Sequence, residues 1–151
     1  MRFYVLSLIL AFLQASVITG AFVSNLYVPD LVLVYLFLHL SRENAVDIKK
    51  PLLSGLYLDI MYDSFGWNTS GKLFSAFILE LLKSRYIFAT RLSVIISYSL
   101  IALSEHLLRY AIFRLKYYYP FEPWLFFAGF VVELSLLFFL TFFIIKGDAK
   151  T

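Results

Sequence analysis

The chain has 151 residues, of which 62% are hydrophobic, 20% aromatic and only 15% charged, too little polar surface to clothe a water-soluble domain. The formal net charge of +3 does not make it a nucleic-acid binder, because the cations stand at the ends of apolar runs rather than on one face. The absence of cysteine excludes disulfides and thiolate metal sites, and the composition points to a bilayer.

The first span is expected over residues 3–23, about 21 mostly apolar residues where ~20 are needed to cross the hydrocarbon layer. No A-x-A-like cleavage site follows it, so the segment reads as retained rather than as a signal peptide. Ser7, Ala11, Ala15 and Thr19 recur every four positions on one face. Their small size admits the close approach of another helix, from this chain or from a separate membrane subunit. Gln14 interrupts what reads as the other side.

Pro29-Asp30 opens the second span, expected over 26–40, with proline suited to a first helical turn and the acid favourable at the positive end of the helix dipole. His39 reads as interfacial, next to a loop from Ser41 to Lys50 that carries Arg42, Lys49 and Lys50 against Glu43 and Asp47.

The stretch from Pro51 to Leu82 departs from ordinary spans. Two short apolar runs, Leu52 to Tyr62 and Leu73 to Leu82, flank a polar turn with Asp63, Gly66, Asn68, Thr69 and Ser70. Gly55, Asp59 and Asp63 recur at four-residue intervals and share a face if the helix persists. Two carboxylates so close repel in a low dielectric, so Asp59 is expected to be protonated, hydrogen-bonded or turned to a wet cavity. Phe65-Gly66-Trp67-Asn68-Thr69-Ser70 supplies turn residues and an N-cap for the next helix, and Asn68-Thr69-Ser70 also matches a glycosylation acceptor, a pattern of low specificity. Glu80 lies within a turn of Lys83 and is placed to pair with it.

Beyond the hairpin, Lys83, Arg85 and Arg91 bracket an aromatic segment, 86–90, expected to lie along headgroups as an amphipathic linker. The fifth span, 92–108, carries Glu105-His106, neighbours expected to point to different faces and so not to form a dyad with each other. A basic loop with Arg109, Arg114 and Lys116 follows, and the aromatic run from Tyr117 to Trp124 suits a membrane–water interface. The last span, 121–145, holds Glu133 near its middle.

Six spans with both termini cytoplasmic place Arg2, Arg42, Lys49, Lys50, Lys83, Arg85, Arg91, Lys146 and Lys150 inside and leave Lys72, Arg109, Arg114 and Lys116 outside. No phosphate-binding glycine loop, Ser-His-Asp set or HExxH helix is present, and no enzyme activity, cofactor or metal is expected. Asp59, Glu80, Glu105 and Glu133 lie in four different apolar runs. Their cost in lipid makes them functional candidates, against interhelical pairing with Arg91, Arg109, His106 or Lys83.

Gln14, the Pro29-Asp30-Leu31 opening, Pro51 followed by Gly55-x-x-x-Asp59, and Gly66 seven residues further on form an ordered set over nearly the whole chain. In order and spacing it resembles the rod shape-determining MreD family of bacterial inner membranes. The turn Tyr62-Asp-Ser-Phe-Gly-Trp departs from that pattern in carrying an acid and bulky aromatics. The resemblance implies an all-α integral membrane protein, a six-helix bundle like the S components of energy-coupling factor transporters, with short third and fourth helices. It implies a non-enzymatic scaffold of the cell-elongation machinery that binds an MreC-like single-span protein. MreB filaments, a RodA-type glycosyltransferase and its transpeptidase would be nearby. The partner-binding candidates are then Gly55, Asp59, Asp63, Gly66, Asn68, Pro29, Asp30, Ala11, Ala15 and Gln14. The alternative is a vitamin-binding S component with an outward pocket lined by Trp67, Trp124 and the tyrosines.

Overall fold

A computed structural model describes residues 2–21, 27–64, 66–85, 90–118 and 120–148. Among them the chain is all-helical: α1 (Arg2–Ala21), α2 (Leu31–Leu40), α3 (Lys49–Met61), α4 (Trp67–Arg85), α5 (Arg91–Lys116) and α6 (Pro123–Asp148). The segments Arg2–Ala21, Arg91–Leu115 and Pro123–Thr141 are long and apolar enough to cross a membrane. The linker expected over 86–90 falls outside the described residues except for Thr90, which caps α5 by accepting from Ser93 N.

The exterior is inverted relative to a water-soluble protein. Val17, Ile60, Phe77, Leu92 and Phe139 are each more than 60% exposed, whereas Asp30, Lys72, Glu105 and Glu133 are at most 1% exposed. Large apolar side chains facing outward around a charged interior suit a lipid solvent.

Short α2 lies at the centre. Val32, Leu33, Val34, Leu36, Phe37 and Leu40 are all buried, and one half-buried face remains, formed by Leu31, Tyr35, Leu38 and His39. Its core partners are Phe3 of α1, Ala76 and Leu79 of α4, Tyr98 and Ile101 of α5, and Leu137 of α6. The second span, expected from 26, becomes helical only at Leu31: Tyr27 to Asp30 runs as buried non-helical chain. Gly129 of α6 makes room for it, since a Cβ there would strike the Tyr27 carbonyl.

Two further boundaries differ from expectation. α4 begins at Trp67, 19 residues in all, because the polar turn residues 68–72 spend their hydrogen-bonding groups inside the bundle and so continue the helix. The basic segment expected as a loop after 108 is instead the continuation of α5 to Lys116. Arg109 and Lys72, assigned to the exterior, are buried.

The small-residue face of α1 is consumed within the chain by α3. Ser7 Oγ donates to Ser54 Oγ over 2.9 Å, Ala11 packs with Leu58, and Thr19 Oγ1 lies 3.0 Å from the Tyr62 hydroxyl. Ala15 is only half-buried. Between them the helix widens into a π segment, Gln14–Ile18, in which Thr19 N–H reaches back five residues to the Gln14 carbonyl. Gln14 itself turns inward rather than away: it is fully buried, three residues from Ala11 and so on an adjoining face.

Candidate functional site

Two polar constellations occupy the interior. The first is the corner between α3 and α4. α3 ends at Met61, and Asp63 takes a left-handed backbone (φ 50°), so Asp63 leaves the face it was expected to share with Gly55 and Asp59 and is exposed. Gly66 also turns left-handed (φ 79°), a conformation glycine adopts without steric cost. Asp59 is then the hub. Its Oδ1 accepts from Ser64 Oγ (2.7 Å), Asn68 N (3.0 Å) and Asn68 Nδ2 (3.1 Å), and its Oδ2 accepts from Thr69 N (3.0 Å) and Thr69 Oγ1 (2.5 Å). A carboxylate from one helix thus caps the N-terminus of the next, satisfying donors that have no intrahelical partner. Of the three fates expected for Asp59, the structure shows hydrogen bonding. Gly55 completes the corner by letting the Thr69 backbone lie directly against α3; a Cβ at 55 would overlap Thr69 Cα. Asn68 is fully buried in this corner, so the Asn68-Thr69-Ser70 sequence presents no accessible acceptor.

The second constellation is a buried cluster of charges drawn from α4, α5, α6 and the start of α2. Asp30 caps α2, its Oδ1 accepting from Leu33 N at 2.8 Å. Its Oδ2 accepts from Lys72 Nζ of α4 (2.5 Å) and Arg109 of α5 (2.9 Å). Lys72 also donates to Glu105 Oε1 (2.9 Å), and Arg109 approaches the same oxygen at 3.5 Å. Gly71 gives this carboxylate its space, since a Cβ there would press on Glu105 Oε1. Glu133 of α6 accepts from Asp30 N (2.6 Å) through Oε1 and from the Tyr98 hydroxyl (2.9 Å) through Oε2, while His106 Nε2 lies 2.9 Å from Oε1. Gln14 reaches the rim of the cluster, its Oε1 accepting from Val32 N at 3.3 Å.

Three acids face two permanent cations here, and a proton on His106, between Glu105 at 3.3 Å and Glu133 at 2.9 Å, would bring the group to neutrality. The adjacent pair Glu105-His106, expected to diverge, does both: each side chain serves a different helix, and their ends still meet. Buried charges of this kind are tolerable only when paired and hydrogen-bonded. The arrangement therefore acts as a set of interhelical clasps.

Among the sequence-predicted positions, Asp30 and Gln14 belong to or border the charge cluster, and Gly55, Asp59, Gly66 and Asn68 form the corner. Pro29 is buried next to the cap, and Ala11 lies in the α1–α3 seam. Lys72 was not singled out as a site residue. Asn68, Lys72, Ser75 and Leu79 nevertheless fall at the spacing of one helical face, and all are buried, a signal readable in the sequence. Glu80 is exposed, and Lys83 donates instead to the Leu40 and Glu43 carbonyls. Trp124 is 82% exposed, and Trp67 stacks on Phe113 with centroids 4.7 Å apart. Among the described residues no group of three or more His, Cys, Asp or Glu is arranged to hold a metal ion.

Comparison of the chain with protein-family models, curated proteins and solved structures returns no match.

Proposed function

We propose that the chain is a multi-pass protein of the bacterial inner membrane, with both termini cytoplasmic, that serves as a non-enzymatic scaffold of the MreD kind in cell elongation. The observation that carries this reading is the closed charge cluster of Asp30, Lys72, Glu105, His106, Arg109 and Glu133 beneath an apolar exterior. Its hydrogen bonds run helix to helix and hold the bundle as one body. The residues behind the MreD resemblance also have work at the joints: Gln14 and Asp30 at the head of α2, Gly55, Asp59 and Gly66 at the α3–α4 corner.

The orientation draws support from the grouping of cations. His39 and Lys50 lie 3.3 Å apart, Phe3 stacks on His39, and Lys83 reaches the loop after α2, so the N-terminus, that loop and the end of α4 share one basic end. Burial of Lys72 and Arg109 removes two cations from the opposite end, which strengthens the bias that sets cytoplasmic orientation.

Affinity purification in mild detergent tests the function. Retention of an MreC-like single-span protein, with the RodA-type glycosyltransferase and its transpeptidase, is the expected result. Retention of transporter ATPase subunits in their place would assign the chain to the S components and overturn the scaffold.

A further inference from the structure

Along α2, the flanking helices α1 and α6 stand apart and leave a cleft of about 440 Å³. Leu10 of α1, Val34 and Leu38 of α2, and Leu136 and Leu140 of α6 form its walls. Its lining is apolar along the helix and polar at one end only, where His39 and Arg42 close it. We propose that this cleft is a binding site for an anionic phospholipid, with an acyl chain along α2 and the phosphate against Arg42 and His39.

Three observations carry the assignment, which rests on the membrane reading above but not on the scaffold function. The lining from Leu31 to Arg42 follows α2, whose ten residues rise about 15 Å, half of a hydrocarbon core about 30 Å thick. The cleft therefore matches the depth of a single leaflet. Its charged rim sits at the basic end of the bundle, where headgroups would lie. Among the described residues the acid at that rim is Glu43, already engaged by Lys50 and by His39 at 3.2 Å, and Arg42, which is exposed, adds positive charge beside them. An apolar slot ended by a cation is complementary to a chain ended by a phosphate, and basic pockets between membrane helices at the cytoplasmic side recognise anionic headgroups in this way.

The test uses the full chain in nanodiscs of equal phosphatidylglycerol and phosphatidylcholine, followed by release into detergent and native mass spectrometry of retained lipid. Wild-type protein is expected to retain phosphatidylglycerol in preference. Arg42→Gln should lower that preference about fivefold, the weight of a single cation near an anionic surface. Leu136→Trp, which fills the slot, should reduce retention of both lipids. Lys49→Gln, an exposed cation at the same end but outside the lining, should leave the preference unchanged. Equal retention of the two lipids, an equal loss from Lys49→Gln, or undiminished retention in Leu136→Trp would each overturn the site. A dimer that disappears on Leu136→Trp would assign the cleft to a second copy of the chain and overturn the lipid. Failure of the protein to enter the discs would overturn the membrane reading itself, a result distinguishable from the others.

Discussion

The backbone N–H of Asp30 donates to Glu133 Oε1 over 2.6 Å, although the two residues lie 103 positions apart. The cap of the central helix is thereby held from the last helix, while the same aspartate's carboxylate is held by Lys72 and Arg109. The head of α2 is positioned by four other helices at once: α4, α5 and α6 through Asp30, and α1 through Gln14, which accepts from Val32 N.

Removing a single member of that group should be costly. Lys72→Met leaves Asp30 and Glu105 to share Arg109 alone, and the buried negative charge left uncompensated is expected to cost about 3–5 kcal/mol. Adding Asp30→Asn should recover part of the loss, because the two changes remove both partners of one pair. Unfolding followed by helical circular dichroism in detergent, with denaturant titration, measures both variants. Equal stability of Lys72→Met and wild type would show that the clasp does not hold the bundle.

Asp59→Ala should cost about 2 kcal/mol or more, since hydrogen bonds to an ionised group are each worth about 1.5–3 kcal/mol and this one carboxylate accepts from Ser64, Asn68 and Thr69. The site-specific signature is faster hydrogen exchange at the Asn68 and Thr69 amides, with Asp59→Asn intermediate because one oxygen still accepts.

The glycines divide by what surrounds them. Gly55→Ala and Gly129→Ala both drive a Cβ into backbone, of Thr69 and Tyr27 respectively, and neither can be relieved by a rotamer change. Overpacking of this kind is expected to cost about 1–3 kcal/mol or more. Gly66→Ala meets open space but must adopt a left-handed backbone, at about 1–2 kcal/mol. Gly20→Ala meets nothing and has an ordinary helical backbone, so it should gain up to about 1 kcal/mol from helix propensity. Thermal midpoints of the four variants should follow that order.

On α1, Ala11→Phe should open the α1–α3 seam at a cost of about 1–3 kcal/mol, whereas Ala15→Phe, at a half-buried position, should cost less. Crosslinking between cysteines placed at Ser7 and Ser54, whose hydroxyls already touch, reports the seam directly and should fall in the Ala11 variant only.

The parts of this molecule readable from the sequence are those governed by local spacing. Two short apolar runs around a polar turn that contains Gly66 mark a helix corner, whereas the capping role of Asp59 and the backbone contact at Gly55 depend on how the two helices fold back on each other. The chemistry that joins distant elements was less legible. Glu105, Glu133, Arg109 and His106 stood out as costly polar residues needing partners, but which acid meets which base depends on helix order in space. Lys72 reads as an outer-side cation and Asp30 as a dipole cap, since nothing in one dimension sets them 2.5 Å apart. Gln14 turns inward because it lies three residues from Ala11, beside the four-residue stripe and not opposite it, where the helix widens into the π segment.

Glu105 and Arg109 stand one turn apart on the same helix, and their 3.5 Å approach bears on how the protein is made. In a bilayer, Arg109 enters with its own counter-ion, and that pair adds no net charge to the middle of α5. Lys72 has no such companion on α4, but Asp30 has already been synthesised and waits for it. Glu133 arrives last, to His106 on a helix already seated. After Asp30, each charge is thus delivered to a counterpart translated before it or beside it, and an assembly interrupted before α6 would leave the Tyr98 hydroxyl and the Asp30 N–H without the carboxylate that accepts from both.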